Sequence, residues 1–218
     1  VIIHGEQYLE EPWRSRPVTY YGVGSGVGRV MDVKSEGKRK VAVIGLGAGT
    51  MAAFGKEGDE YHFYEINPQM VWVAENEFSY LRDSKAKITT SMGDARLSLE
   101  REDPHNFDVM VIDAFSSDSV PMHLMSAEAM EVYLKHLAPD GVIVFNVTNR
   151  YLNLTPPIQR IAKEYGLVSG YISDEPQDRI HYDSEFTLVT RDPNVLADPR
   201  IAPGISQVDE IPNLGVWT

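Results

Sequence analysis

The chain has 218 residues, 43% hydrophobic and 24% charged, with 32 Asp+Glu against 20 Lys+Arg and a net charge of −12. That balance fits one globular unit with a real core, excludes disorder as the main state, and argues against nucleic acid, which selects basic faces. The absence of cysteine excludes a disulfide scaffold, a thiolate metal site and a cysteine nucleophile, and no apolar run reaches the roughly 18 residues of a membrane-spanning helix.

The negative field favours a cationic ligand such as an amine, although acidity also serves solubility. The first residue is Val1, and no charged-then-apolar leader follows it. The chain therefore reads as a piece of a longer protein, with flanking segments outside it.

Three regions are expected along the chain. Residues 1–40 carry Pro12, Pro17, Gly22, Gly24, Gly26 and Gly28 with Trp13, Tyr20 and Tyr21. Gly and Pro at that density predict short β segments joined by turns, a small β-hairpin region. Residues 41–190 alternate. Apolar, β-branched runs at 41–44, 61–64, 87–90, 109–112, 142–147, 167–172 and 186–189 are separated by helix-compatible stretches at 50–54, 68–77, 95–101, 127–136 and 157–165. Runs apolar on both faces predict strands covered on both sides, hence a mostly parallel, doubly wound α/β sheet of about seven strands. Residues 191–218 hold four prolines and no clear period, and are expected to form an irregular tail.

Four motifs carry chemistry. In Val41-Ala-Val-Ile-Gly45-Leu-Gly47-Ala-Gly49-Thr50 a buried strand runs into three alternate glycines. Without Cβ atoms such a turn lets a ligand lie against backbone N–H groups; the plain alternative is a tight turn with no ligand. Thr50 stands where a dinucleotide fingerprint wants Gly or Ala, so the G-x-G-x-G spacing points to nucleosides of the S-adenosyl type. Tyr61-His-Phe-Tyr-Glu65 ends the second strand in a carboxylate, 20 residues after Gly45. Glu65 there can accept both ribose hydroxyls, or be a solvated strand end. In Gly93-Asp94-Ala95-Arg96, Asp94 can take an exocyclic amine of adenine with Ala95 against the ring, or cap a helix, or both. Finally, the run from Asp108 to Pro121 ends its strand at Asp113, at the sheet edge where ligands of such folds collect. Asp113 and Asp118 could hold an ammonium group and take its proton, or serve a cap or turn.

In this order these motifs resemble the spermidine synthase-like aminopropyltransferases, which share the Rossmann-like fold of class I methyltransferases. The resemblance covers roughly residues 5–190. The wording Tyr20-Tyr21-Gly22, the glycine loop, Gly93-Asp94-Ala95-Arg96-Leu-Ser-Leu and Asp113-Ala-Phe-Ser looks like the spermidine synthase-like domains that bacteria often fuse behind membrane segments. The resemblance implies that Gly45, Gly47 and Gly49 form the floor for the sulfonium nucleoside, with Glu65 on its ribose and Asp94 with Ala95 on its adenine. Asp113 is then the general base, and Tyr20 orients the amine. Gln7 looks like the glutamine of the family's amino-terminal hairpin, and with Tyr21 and Asp118 would touch the amine substrate. Three positions depart from the family pattern. Ala48 replaces the loop Asp that binds the donor's amine, Tyr21 replaces a His or Gln, and Asp113 and Asp118 stand five apart.

The function expected is transfer of an aminopropyl group from decarboxylated S-adenosylmethionine to a putrescine-like amine. Ala48 would spare the carboxylate of intact S-adenosylmethionine a like-charge clash, so methyl transfer is the alternative; a non-catalytic domain that senses a nucleoside or polyamine is the third. The six histidines show no ligand spacing, so no metal is expected. Ser116 and Ser117 lack a nucleophile elbow. Asn146 to Arg150 read as an ordinary loop at the pocket's edge. The resemblance further implies a cytoplasmic location, as a soluble or membrane-attached domain, and admits a homodimer.

Overall fold

In this computed structural model, which describes residues 5–114, 121–149, 151–208, 211 and 214–218, eight strands form one sheet in the order β3-β2-β1-β4-β5-β7-β6-β8. The strands are β1 (Lys40–Ile44), β2 (Glu60–Glu65), β3 (Lys87–Met92), β4 (Phe107–Ile112), β5 (Leu137–Asn146), β6 (Val168–Asp174), β7 (Ser184–Thr190) and β8 (Ile205–Ser206). The pairs β1–β2, β2–β3, β1–β4 and β4–β5 are parallel. Strand β7 inserts antiparallel between β5 and β6, and β8 closes the far edge antiparallel to β6.

Strand parity divides the core. Val41, Val43, Tyr61, Phe63, Val109, Val111, Val142 and Val144 face one side, over α1 (Gly26–Val33) and the one-turn 3-10 helix Thr50–Phe54. Ala42, Ile44, Tyr64, Met110, Ile112, Ile143 and Phe145 face the other, over α4 (Ala95–Arg101), α5 (Ala127–His136) and α6 (Thr155–Glu164). Both faces are covered, which is why these strands read as continuous apolar runs. Short helices α2 (Pro68–Asn76), α3 (Tyr80–Asp83) and α7 (Pro193–Ala197) complete the layers. Side-chain caps start most helices: Asn67 accepts from Gln69 N–H, Ser126 from Ala129 N–H and Asp192 from Asn194 N–H.

Two expectations need correction. No strand forms among the described residues before Lys40. The glycine-rich stretch becomes helix α1 instead, capped by the Ser25 hydroxyl, which accepts from Gly28 N–H at 3.1 Å. Its glycines serve close approach. A Cβ on Gly26 would collide with Phe186 of β7, and one on Gly28 with the Gly22 carbonyl. In the first helical turn glycine costs little, and the packing it permits outweighs its low helix propensity. The segment before α1 pairs with the residues ahead of β7 at an isolated bridge, Thr19 to His181, with Thr19 N–H on the Ile180 carbonyl at 2.9 Å.

Nor is the tail wholly irregular. It forms α7, the 3-10 turn Ala202–Gly204 and β8, which pairs Ile205 with Ile172. Beyond it, Trp217 packs on the second face and its carbonyl accepts from Ala127 N–H at 2.8 Å. Among the described residues no helix is long and apolar enough to cross a membrane.

Candidate functional site

Strands β1 and β4 are neighbours, but the chain leaves β1 for β2 on one side and β4 for β5 on the other. The sheet's order reverses between them, and at such a switch point a crevice opens at the carboxyl ends of the strands. The glycine loop follows β1 and Asp113 follows β4, so the two strongest motifs meet there.

The loop's backbone explains its composition. Gly45, Gly47 and Gly49 all have positive φ, at 96°, 52° and 79°, a region that side-chain-bearing residues seldom enter. Gly45 is doubly required, because a Cβ on it would run into the Asp113 carbonyl. Helix Thr50–Phe54, which follows, is a single 3-10 turn, so the loop offers N–H groups with little helix dipole behind them. Glu65 ends β2 beside the loop, 9% exposed. Its Oε2 accepts from Leu46 N–H at 3.0 Å and its Oε1 from Asn67 N–H at 2.8 Å. Each oxygen keeps a further lone pair, so the carboxylate is fixed in direction and still able to receive hydroxyls.

Asp94 is the cap of α4, accepting from Leu97 N–H at 2.9 Å through Oδ1. Its Oδ2 meets His123 Nε2 at 2.8 Å, a contact brought by the Met122–Leu124 turn. Ala95 is buried beside it. The capping alternative raised from sequence is therefore present, and only the remaining lone pairs are open to an adenine amine.

Asp113 has the most unusual surroundings. Tyr21 donates its phenolic O–H to Oδ2, and Asn146 Nδ2 donates to Oδ1 at 2.8 Å. Tyr20 lies against Tyr21, ring centroids 4.5 Å apart, close enough to influence the Asp113 carboxyl. Burial pushes the Asp113 carboxyl up to about 6, against the downward pull of the hydrogen bonds from Tyr21 and Asn146 and of the nearby Tyr20 hydroxyl. Both tyrosines are raised well above their ordinary value, by burial first and by the Asp113 charge second, so both stay neutral and able to donate.

Three sequence-level assignments change in emphasis. Tyr21, expected on the substrate, spends its hydroxyl on Asp113. Gln7 is a tether: its Nε2 donates to the Arg14 carbonyl at 2.9 Å and the Ser79 hydroxyl at 2.8 Å, and its Oε1 accepts from Ser79 N–H at 2.8 Å. Both amide hydrogens are used within the chain, and Oε1, which accepts one hydrogen bond, keeps a lone pair that an ammonium group could still reach. Asp118 lies outside the described residues. Asn146, read as loop, is the last residue of β5 and a direct partner of Asp113. The available signal was its place at the carboxyl end of the fifth apolar run, which matters only once β5 is known to flank β4.

No family model matches the chain. A polyamine aminopropyltransferase from Vibrio vulnificus is 30% identical over 112 residues, covering 49% of this chain and 37% of that protein. An eEF1A lysine and N-terminal methyltransferase homolog from Drosophila pseudoobscura is 26% identical over 159 residues, 68% of this chain and 24% of that protein. This chain thus spans between about a quarter and about a third of the curated relatives it matches. The crystal structure of spermidine synthase from Thermotoga maritima superposes with a TM-score of 0.64 at 15% identity, over 91% of this chain and 69% of that one. The chain has the spermidine synthase-like class I methyltransferase fold.

Within the spermidine synthase-like fold the residue-48 side of the glycine loop is closed by the chain itself. A Cβ on Gly5 would collide with the Ala48 side chain, so the amino-terminal segment lies directly on that residue. Among the described residues no group of three or more His, Asp or Glu side chains is arranged to hold a metal ion. The fold does bring together His62, His105 and His136, but at the amino-terminal edge of the sheet, with His62–His105 and His105–His136 ring centroids 5.6 and 5.3 Å apart.

Proposed function

We propose that this chain is a transferase acting on a sulfonium nucleoside of the S-adenosylmethionine type, and that it moves an aminopropyl group from decarboxylated S-adenosylmethionine to a putrescine-like amine. The observation that carries the reading is Asp113: a carboxyl near 6, facing the glycine loop across the switch point, oriented by neutral donors only. Likeness to the Vibrio aminopropyltransferase supports the donor assignment.

In this reaction the amine nitrogen's lone pair attacks the propyl carbon bonded to sulfur. The C–S bond breaks and its electron pair stays on sulfur, leaving neutral methylthioadenosine. The new N–C bond makes the nitrogen cationic, and the proton it sheds passes to an Asp113 oxygen. Holding the two reactants in line supplies most of the acceleration, and base assistance contributes about 10²–10⁴-fold. Glu65 would receive the ribose hydroxyls, and the N–H groups of the loop 45–49 would lie under the nucleoside. Asp94 with Ala95 would flank the adenine.

Methyl transfer is the second reading, and Ala48 favours it. No carboxylate stands at that position to repel the carboxylate of intact S-adenosylmethionine; the similarity to the Drosophila methyltransferase homolog supports it as well. The test supplies each donor with an amine acceptor and identifies the nucleoside product by mass spectrometry. Methylthioadenosine supports aminopropyl transfer, and S-adenosylhomocysteine moves the assignment to methyl transfer. Asp113→Asn should lower turnover by about 10²–10⁴-fold while nucleoside affinity, measured by calorimetry, is retained. Near-normal turnover in that variant would overturn Asp113 as base, and nucleoside binding with no product from either donor would leave a sensing domain.

A further inference from the structure

Asn146 has a place in the site that none of the motifs assigns. Strand β5 runs parallel to β4, with Ile112 opposite Phe145, so the residues that follow, Asp113 and Asn146, stand side by side at the carboxyl edge. Asn146 is 4% exposed. A carboxamide can be turned either way about its terminal bond, and here a fixed neighbour decides. Thr148 N–H, which can only donate, lies 3.0 Å from the Asn146 Oδ1. The amide oxygen must therefore face Thr148, and the NH₂ group must face Asp113 Oδ1. Thr148 is pinned in turn, its hydroxyl accepting from Glu185 N–H at 2.9 Å, while Val147 N–H donates to the Glu185 carbonyl at 2.9 Å. A hydrogen-bonded ladder thus runs from β7 through β5 to the carboxylate.

We infer that Asn146 is the positioning residue of Asp113: its locked amide clamps one carboxylate oxygen while Tyr21 clamps the other, so that the carboxylate is kept ionised and its remaining lone pairs are aimed into the crevice. The inference rests on the reading of Asp113 as the base. Asn146 itself would touch neither donor nor acceptor. A donor-only contact favours the charged form of a carboxylate, and a partner that offered an acceptor would favour the protonated form. Among the described residues, the ionisable groups that face Asp113 are Tyr20 and Tyr21, on the segment before α1; β5 brings Asn146, and the loop after β1 brings the Gly45 backbone. With both tyrosines neutral, removal of Asn146 leaves burial opposed by the tyrosine hydroxyls alone.

The test is a carboxyl-carbon NMR titration of protein labelled at aspartate, with the Asp113 signal identified by its loss in Asp113→Asn. It is run on the wild type, on Asn146→Ala and on the near-isosteric Asn146→Leu, so that one folded variant suffices. The expected result is an upward move of the Asp113 titration by about one unit, a tenfold change in proton affinity. The acid limb of the kcat profile should follow it, with kcat lowered and the KM for the nucleoside donor unchanged. An Asp113 titration that stays in place in a folded variant overturns the inference. Absence of turnover in the wild type would sink the transferase reading while leaving the titration result intact, so the two failures are distinguishable.

Discussion

Asp59 and Asp113 sit at opposite edges of one sheet, the first buried and the second half-buried, and their carboxyls move in opposite directions. Asp59 stands just before β2 at the amino edge, 1% exposed. Burial alone would raise its carboxyl, but Arg39 more than offsets it. The guanidinium donates to Oδ2 from Nε at 2.9 Å and from Nη2 at 2.5 Å, and Arg39 N–H donates to Oδ1 at 2.9 Å. Lys56 N–H adds a fourth donor at 3.0 Å. The result is a carboxyl below its ordinary value. The same Arg39 also reaches the Met31 carbonyl at 3.1 Å and the Phe54 carbonyl at 2.7 Å, tying α1 and the 3-10 turn to the starts of β1 and β2. Asp113 receives two donors, Tyr21 and Asn146, with no charged partner among the described residues, and burial wins. A cation separates a structural carboxylate from one poised to exchange a proton near neutrality.

The largest effects should come from making the same change at both edges. Asp59→Asn leaves the Arg39 charge buried without its partner and should cost about 3–5 kcal/mol of stability, a large share of the roughly 5–15 kcal/mol available to a domain. Asp113→Asn should do the reverse at pH 7. A folded-state carboxyl raised to about 6 binds more protons than the unfolded chain between its ordinary value and 6, so stability falls as pH rises through that window. Removing the charge relieves that loss. Urea denaturation of the pair at pH 7 checks both signs, and equal destabilisation by the two changes would break the comparison.

A smaller but sharper effect is expected at Gly45. Alanine there meets both a positive φ and the Asp113 carbonyl, with strain of about 1–3 kcal/mol. Because the obstacle is the backbone that carries Asp113, Gly45→Ala should reduce methylthioadenosine affinity by calorimetry well beyond its effect on melting. Loss of stability with affinity intact would mark the loop as a turn only. The smallest effect is at Asp94, where cap and ligand roles overlap. Serine caps α4 about as well as aspartate, so Asp94→Ser should hold stability within about 0.5 kcal/mol while affinity falls about tenfold, the worth of one hydrogen bond to a charged group. Unchanged affinity would leave Asp94 a cap alone.

The amino edge also shows what linear spacing hides. His62 stacks on Tyr64 with centroids 4.5 Å apart and meets the Ser91 hydroxyl at 2.8 Å. His105 meets Glu102, and His136 meets the Leu99 carbonyl, each at 2.8 Å. Burial first of all lowers His62 and His136 below their ordinary value. These histidines lie more than 30 residues apart in pairs, so no motif could have joined them. They are brought together by the parallel register of β2 against its neighbours and by α5 lying over that face.

What the sequence determined by itself is the local part of the protein. Strands buried on both faces, alternate glycines and carboxylates closing β2 and β4 were all readable from Val41 onward, because each depends on near neighbours: β-branched runs favour extended chain, and left-handed turns demand glycine. The proposal of a sulfonium-nucleoside ligand starts from the same spacing. Only the tertiary structure decided where those features face and what they touch. Helix α1 forms from a glycine-rich stretch because Gly26 and Gly28 allow contact with Phe186 and Gly22, a gain invisible to propensity. Strand β8 exists because β6 offers it a free edge. Tyr21 and Asn146, 92 and 33 residues from Asp113 in the chain, become its partners only after β5 docks beside β4 and the segment before α1 folds back over the crevice. Hydrogen bonds across such distances depend on strand order and register, which a local pattern does not encode.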